Sequence, residues 1–309
     1  MDHSEHPGVP QRPPASAQLS INSIDRYANA LYPVAQYYPL LATTAGQPTA
    51  SDFQMLLQRP LLSGYFTRLA VSQVQLQWNI YTITAGVNDV ITITDVSNNQ
   101  TFSVTLTEGF YNFYSLAAQI QAQVIAQATT PMPAFTCTFN PVTQAYTFAT
   151  NEVGRTIRIV STGQPSNVLK LYVMLGISRI NEFVPLATQI GGVARLCYTS
   201  YIDIISRKLT QYMRVKDSET SFQPDTAVLC RVYMTPPNQR SVQDASGNLV
   251  GSQPFTLVWD PNTPKHIKWE PNQYIYDFDI QVKDEFGDLL PWSAKRNFEF
   301  QMTMLASET

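Results

Sequence analysis

The chain has 309 residues, enough for one large all-β unit or two modest domains, and 44% of them are hydrophobic, so a sizeable core can form. Charged residues make up only 14% of it, against roughly 25% in ordinary soluble proteins, and the net charge of −3 argues against a nucleic-acid-packaging or membrane-surface protein. Gln, Asn, Thr, Ser and Tyr take up the difference; they hydrogen-bond at less desolvation cost than ions and suit a surface given over to protein contacts.

Residues 1–16 carry Pro7, Pro10, Pro13 and Pro14 without an apolar anchor. They are expected to form an extended, polyproline-like arm, either held by a neighbouring subunit or left as a loose tail. The stretch MDHSEHPGVPQRPPAS has no apolar h-region, and no run approaches the ~20 apolar residues of a membrane span, so a soluble protein outside the secretory route is expected.

Beyond the arm the period is two. Phe53, Met55 and Leu57 alternate with Asp52, Gln54 and Leu56, and Phe102, Val104 and Leu106 with Thr101, Ser103, Thr105 and Thr107. Tyr274, Tyr276, Phe278, Ile280 and Val282 alternate with Gln273, Ile275, Asp277, Asp279 and Gln281, and Phe298, Phe300, Met302 and Met304 with Glu299, Gln301 and Thr303. Each run reads as a half-buried antiparallel strand. Further strands are expected at 65–77, 89–95, 134–139, 144–150, 156–161, 199–208, 226–234 and 254–259. Strands this numerous, split by Gly, Pro and Asn turns, predict a mainly β, antiparallel sandwich.

One run, FYSLAAQIQAQVIAQ after EGFYN, predicts a helix instead. Leu116, Ile120 and Val124 share a face, Asn112 or Ser115 can cap it, and it ends before Pro131. It lies inside a β–β–α–β–β–β stretch over about 79–190. The expected organisation is an arm at 1–16, a first part of the sandwich at 17–78, an inserted small α+β subdomain at 79–194 and a second part of the sandwich at 195–309. Two sequential domains are the alternative.

The ordered motifs LSINSIDRY (19–27), SDFQMLL (51–57), YFTRLAVSQVQLQWNI (65–80), FSVTLTEGFYNFYSLAAQIQAQV (102–124), FTCTFNPVTQAYTF (135–148), LYVMLGI (171–177), DIQVKDEFGDLLPW (279–292) and FEFQMTML (298–305) span most of the chain. Their succession resembles the minor capsid and penton (vertex) proteins of nucleocytoplasmic large DNA viruses and their virophage and polinton-like relatives. In that family an INSxDR opening precedes a DFxVxL-type strand, and a strand ending in GxY leads into a short helix. The resemblance implies a jelly-roll capsid component. The length favours a minor or vertex role over the double jelly roll of a major capsid protein.

The motifs also read as structural devices. In NSIDR, Asn22 and Asp25 can cap or turn the backbone, and Arg26 offers a bidentate fork. In EGFYN, Gly109 permits a left-handed or close-packed turn, and the Tyr111 ring can cover the helix start. In DEFGD, Gly287 serves a turn with positive φ while Phe286 pins that turn to the sheet.

His3, His6 and His266 are the only histidines. A nucleophilic triad would have to use His266 in PNTPKHIKW, where an exposed polar residue is the ordinary reading. His3, Glu5 and His6 would bind a divalent ion only at the entropic cost of ordering the arm. The carboxylates Asp217, Glu219 and Asp225, and Asp284, Glu285 and Asp288, match no calcium-loop spacing and read as solvated turns. Cys137, Cys197 and Cys230 are odd in number and far apart, so no disulfide framework is expected, and assembly in a reducing compartment is the simpler reading. No cofactor or metal is expected.

Arg207, Lys208, Arg214 and Lys216, with Tyr212 between, are candidates for partner contact with nucleic acid, anionic lipid or an acidic neighbour. A solvated loop is the plainer reading. Trp259, Trp269, Tyr274, Tyr276 and Trp292 could form a carbohydrate platform, or else core or subunit interface.

Three function classes follow. The first is a non-enzymatic structural capsid protein of an icosahedral double-stranded DNA virus, at the vertex or bridging capsomers. It would reside in the virion, assembled in the host cytoplasm or nucleus. Its expected partners are itself, as a homo-oligomer with a pentamer among the candidates, the major capsid protein and other minor capsid proteins. No specific nucleic acid is expected, and membrane contact is left open. The second is a receptor- or glycan-binding fibre or spike head. The third is a glycosidase using the late carboxylates.

Overall fold

In the computed structural model, the described residues are 16–24, 49–56, 60, 65–128, 132–178, 186, 188–212, 227–234, 255–271, 273–291 and 299–308. The elements in chain order begin with β1 (Ser16–Asn22), β2 (Asp52–Leu56), β3 (Arg68–Trp78), β4 (Val90–Asp95), β5 (Gln100–Thr105) and α1 (Phe113–Gln127). Next come β6 (Phe135–Asn140), β7 (Ala145–Thr150), β8 (Ile157–Arg158), α2 (Ser166–Met174) and β9 (Thr188–Val193). The chain closes with β10 (Tyr201–Ile205), β11 (Val228–Tyr233), β12 (Phe255–Trp259), β13 (His266–Lys268), β14 (Asp277–Asp284) and β15 (Glu299–Ser307).

Two antiparallel sheets form the main body. One has the order β1-β15-β3-β12, with β13 also on β3, and the other β11-β10-β14-β2. The chain wraps from sheet to sheet: β1, β3, β12 and β15 fall in the first, β2, β10, β11 and β14 in the second. First and last strands are neighbours through the β1–β15 pairing. This is the doubled Greek key of a jelly roll. Everything from β4 to β9 is inserted between β3 and β10.

Alternation explains which face is inside. Leu19 and Ile21 of β1, Phe53 and Met55 of β2, and Phe300, Met302 and Met304 of β15 are all buried. Phe53 and Phe300 meet across the two sheets, ring centroids 6.2 Å apart. On β3 the inward residues are Leu69 and Val71, then Val74, Leu76 and Trp78. The parity changes by one between them. A β-bulge absorbs the change: Thr303 pairs with Gln73 and Met304 with Val71, leaving Ser72 extra, and its hydroxyl donates to the Thr303 carbonyl at 3.2 Å.

The inserted part holds two three-stranded sheets, β5-β4-β8 and β6-β7-β9. Helix α1 starts at Asn112, the first of the two candidate caps. Its side chain accepts from the Ser115 N–H, and the Ser115 hydroxyl accepts in turn from the Asn112 N–H, a capping box. Phe113, Leu116, Ala117, Ile120 and Val124 are its buried face.

A second helix went unread in the sequence: Leu171 to Met174 of LYVMLGI close α2, whose buried residues Val168, Lys170, Leu171, Tyr172 and Met174 cover most of its girth. A helix buried almost all round shows no 3.6 period. The alternation proposed through Tyr274 and Tyr276 fails there. Ile275 is buried, Tyr274 and Tyr276 are 53% and 42% exposed, and the inward set restarts at Phe278. The aliphatic side chain takes the core position, and the tyrosines keep their hydroxyls at water. Among the described residues no helix is long and apolar enough to cross a membrane.

Candidate assembly surfaces and the joint that positions them

The DEFGD motif makes the joint between the insertion and the jelly roll. Gly287 takes φ +84° in a tight turn, and the Asp284 carboxylate accepts the N–H groups of Phe286 and Asp288 at 2.9 and 3.1 Å. Into this turn α2 sends Lys170, whose Nζ lies 2.7 Å from Asp284 and 2.8 Å from Asp288. The rings of Tyr198 and Phe286 each stand 5.5 Å from the same ammonium. Lys170 and Asp284 are both buried.

Burial pushes the Asp284 carboxyl up, and the Lys170 hydrogen bond and charge only partly offset it. At the more open Asp288, burial also pushes upward, but Lys170 and the Ser166 hydrogen bond outweigh it and hold the group below the ordinary range. Beside them Arg195 reaches Glu285 at 3.1 Å and the Ser200 hydroxyl at 2.5 Å.

Within the insertion a second contact, between the end of α2 and β9, is backbone on backbone. Gly176, at φ +74°, approaches β9 so closely that a Cβ there would lie 2.3 Å from the Gly192 carbonyl oxygen. A Cβ on Gly191 would lie 2.6 Å from the Leu175 oxygen. The Gly192 N–H donates to the Gly176 carbonyl at 2.8 Å, and the Arg195 N–H to that of Met174 at 2.9 Å. Sequence reasoning found neither Lys170 nor this glycine contact. The signals were a lysine inside the apolar run VLKLYVML and the paired MLG and IGG.

The remaining motif residues are placed as follows. Asn22 ends β1, and its side-chain oxygen accepts the Ile24 N–H at 3.0 Å; Asp25 and Arg26 lie outside the described residues. Gly109 exchanges two backbone hydrogen bonds with Ile83. Its φ is not left-handed, and its backbone lies under the Tyr111 ring, 3.4 Å from where a Cβ would stand. The Tyr111 hydroxyl donates to the Thr107 carbonyl at 2.8 Å.

Arg207 and Lys208 sit in the turn after β10, where their N–H groups donate to the Asp279 carboxylate at 3.1 and 2.9 Å. The Lys208 ammonium pairs with Asp277, so its charge is answered inside the chain. Arg214 and Lys216, like Asp217, Glu219 and Asp225, lie outside the described residues.

His266 is exposed on β13, with Ala70 as its register partner. Trp269 is buried, its ring T-shaped against Tyr212 at 5.0 Å and its Nε1 donating to the Gln273 carbonyl. It is therefore no part of an exposed platform; Tyr274 and Tyr276 do meet at the surface, 5.8 Å apart. Trp292 lies outside the described residues. Among the described residues no group of three His, Cys, Asp or Glu could hold a metal ion. Burial pushes the Cys197 thiol up to about 11 and those of Cys137 and Cys230 up as well.

The two outer faces of the jelly roll differ. On the first sheet Asn22, Gln301, Gln75 and Val258 stand in one cross-strand row, and Ser20, Thr303 and Gln73 in another. Among the described residues of β1, β3, β12 and β15, only Arg68 and Glu299 carry a charge. The second sheet shows Asp52, Asp277, Asp279 and Lys283 outward, with Asp203 held bidentately by Arg231 at 2.8 Å. The Arg231 guanidinium lies 3.9 Å over the Tyr201 ring.

No family model and no curated protein matches this sequence. Solved structures do. The mavirus penton protein aligns over 96% of this chain and 100% of its own, at 11% identity and a TM-score of 0.47. A chain of the Sputnik virophage, determined by electron cryomicroscopy, aligns over 96% of this chain and 98% of its own, at 10% identity and a TM-score of 0.42.

Proposed function

We propose that this chain is a structural component of an icosahedral viral capsid, placed at the vertex or bridging capsomers, and that it works by assembly. The observation that carries the reading is where the family-like motifs fall. INS ends the first strand of the jelly roll, DFQML is the second, EGFYN starts α1, and DEFGD forms the joint at the end of β14. A jelly roll by itself hosts many functions; the ordered motifs on its joints favour this one. The buried chemistry fits, because the late carboxylates Asp284, Glu285 and Asp288 are each engaged with Lys170 or Arg195.

In this reading residues 17–78 and 195–309 form the jelly roll, 79–194 form the inserted subdomain, and the arm at 1–16 reaches a neighbouring subunit. The partners are further copies of the chain, the major capsid protein and other minor capsid proteins, and the location is the virion. Tyr274 and Tyr276 favour a second reading, a glycan-binding head, since paired exposed rings can stack on sugar.

Light scattering on the purified full-length chain separates the positions. A closed ring of five is expected for the vertex. A monomer would favour the bridging position, or a vertex ring that closes only on the shell. A trimer that binds a glycan array would overturn both in favour of the head.

A further inference from the structure

Solvent-facing surfaces ordinarily carry interspersed charges of both signs that discourage association. The outer face of β1-β15-β3-β12 carries amides, hydroxyls and two exposed aliphatic side chains, Val258 and Leu305, instead, with Gln75 beside Gln301 and Gln73 beside Thr303 in register. An amide donates through its NH2 and accepts through its oxygen, so such a face is complementary to a copy of itself and brings no like charges together. Charge stands only at the two ends. Arg68, with Lys268 beside it on β13, lies at one end of the β3–β15 ladder and Glu299 at the other. Along the strands that separation is about 27 Å, at roughly 3.4 Å per residue.

We propose that this face is a self-association surface, on which a second copy stacks face to face with its strands antiparallel. The two-fold axis lies in the plane of contact and runs across the strands. It sets Arg68 of each copy over Glu299 of the other, whereas an axis along the strands would set Arg68 against Arg68. The outer face of the other sheet is less suited, because stacking there would desolvate Asp52, Asp279 and Lys283. Four strands about 4.8 Å apart and about 25 Å long give roughly 1,000 Å² buried in the pair, the lower bound of a specific interface. The association is therefore concentration-dependent and weakens with salt. It does not rest on the capsid reading.

Sedimentation velocity of the full-length chain, over a series reaching millimolar concentration, tests it. The mass is expected to double over that of the unit present in dilution. Glu299→Arg alone and Arg68→Glu alone each shift the midpoint upward by about tenfold, and the two together restore it, because the charges have exchanged ends. Gln75→Lys, at the centre of the face, removes the doubling, and thermal melts confirm that each variant is folded. Absence of doubling overturns the proposal. So do a midpoint indifferent to the single charge reversals, and a double variant that fails to recover. Incorporation of Gln75→Lys into virus particles is scored separately, so loss of self-association and loss of the capsid role are read independently.

Discussion

Lys170 is a buried cation whose two carboxylate partners come from another part of the chain, and its removal leaves Asp284 charged and enclosed. Lys170→Met is expected to cost about 3–5 kcal/mol in urea denaturation. Adding Asp284→Asn should recover part of that loss, because the enclosed charge goes with it. The two aspartates respond to pH with opposite signs. Asp288 is held below its ordinary value, so its contribution is complete above the unfolded value of about 4 and is lost as pH falls through the folded value. Asp284 is raised, so its contribution declines as pH rises from the unfolded to the folded value. Asp288→Asn should therefore lower the urea midpoint at neutral pH, by an amount that shrinks below about pH 4; an equal loss in acid would contradict the assignment.

Two glycines with positive φ separate strain from space. At Gly287 a Cβ meets nothing within 4 Å, so Gly287→Ala should cost only the left-handed penalty of about 1–2 kcal/mol. At Gly176 the same substitution also drives a Cβ into the Gly192 carbonyl. It should cost at least twice as much, and comparable melting points for the two variants would argue against the backbone contact. The three enclosed thiols are expected to resist a water-soluble thiol reagent until the chain unfolds.

Among the elements, the strands were readable wherever one face is wet. Phe53 and Met55, Phe102 and Val104, and Phe300 through Met304 alternate in the sequence as they do in the structure. Helix α1 was readable for the same reason, with one apolar stripe and a side chain able to cap it. Asn112→Ala should cost about 1 kcal/mol, seen as a lower urea midpoint. What stayed hidden was decided by surroundings. Helix α2 is enclosed on most sides, and its N-cap, Pro165, makes no side-chain hydrogen bond, so neither stripe nor cap marks it. The Ser72 bulge is invisible because Leu69 to Trp78 reads as one continuous strand until a partner fixes the register. The joint was half legible: DEFGD announced a turn, while its cation comes from more than a hundred residues away.

At the scale of the whole molecule, the chain closes a jelly roll, mounts an insertion between its third strand and β10, and ties the two together through Lys170 with Asp284 and Asp288. The two outer faces are unlike, one nearly free of charge and the other dense with paired ions. That asymmetry is what a subunit needs if it is to meet different neighbours on different sides. The central claim is that the chain is built to be part of a particle. Quantitative peptide mass spectrometry of gradient-purified virions, with infected-cell lysate for comparison, tests it most directly. The account predicts that the chain sediments with the particles at a fixed ratio well below that of their most abundant protein. Finding it in the lysate and not in the particles would contradict the account.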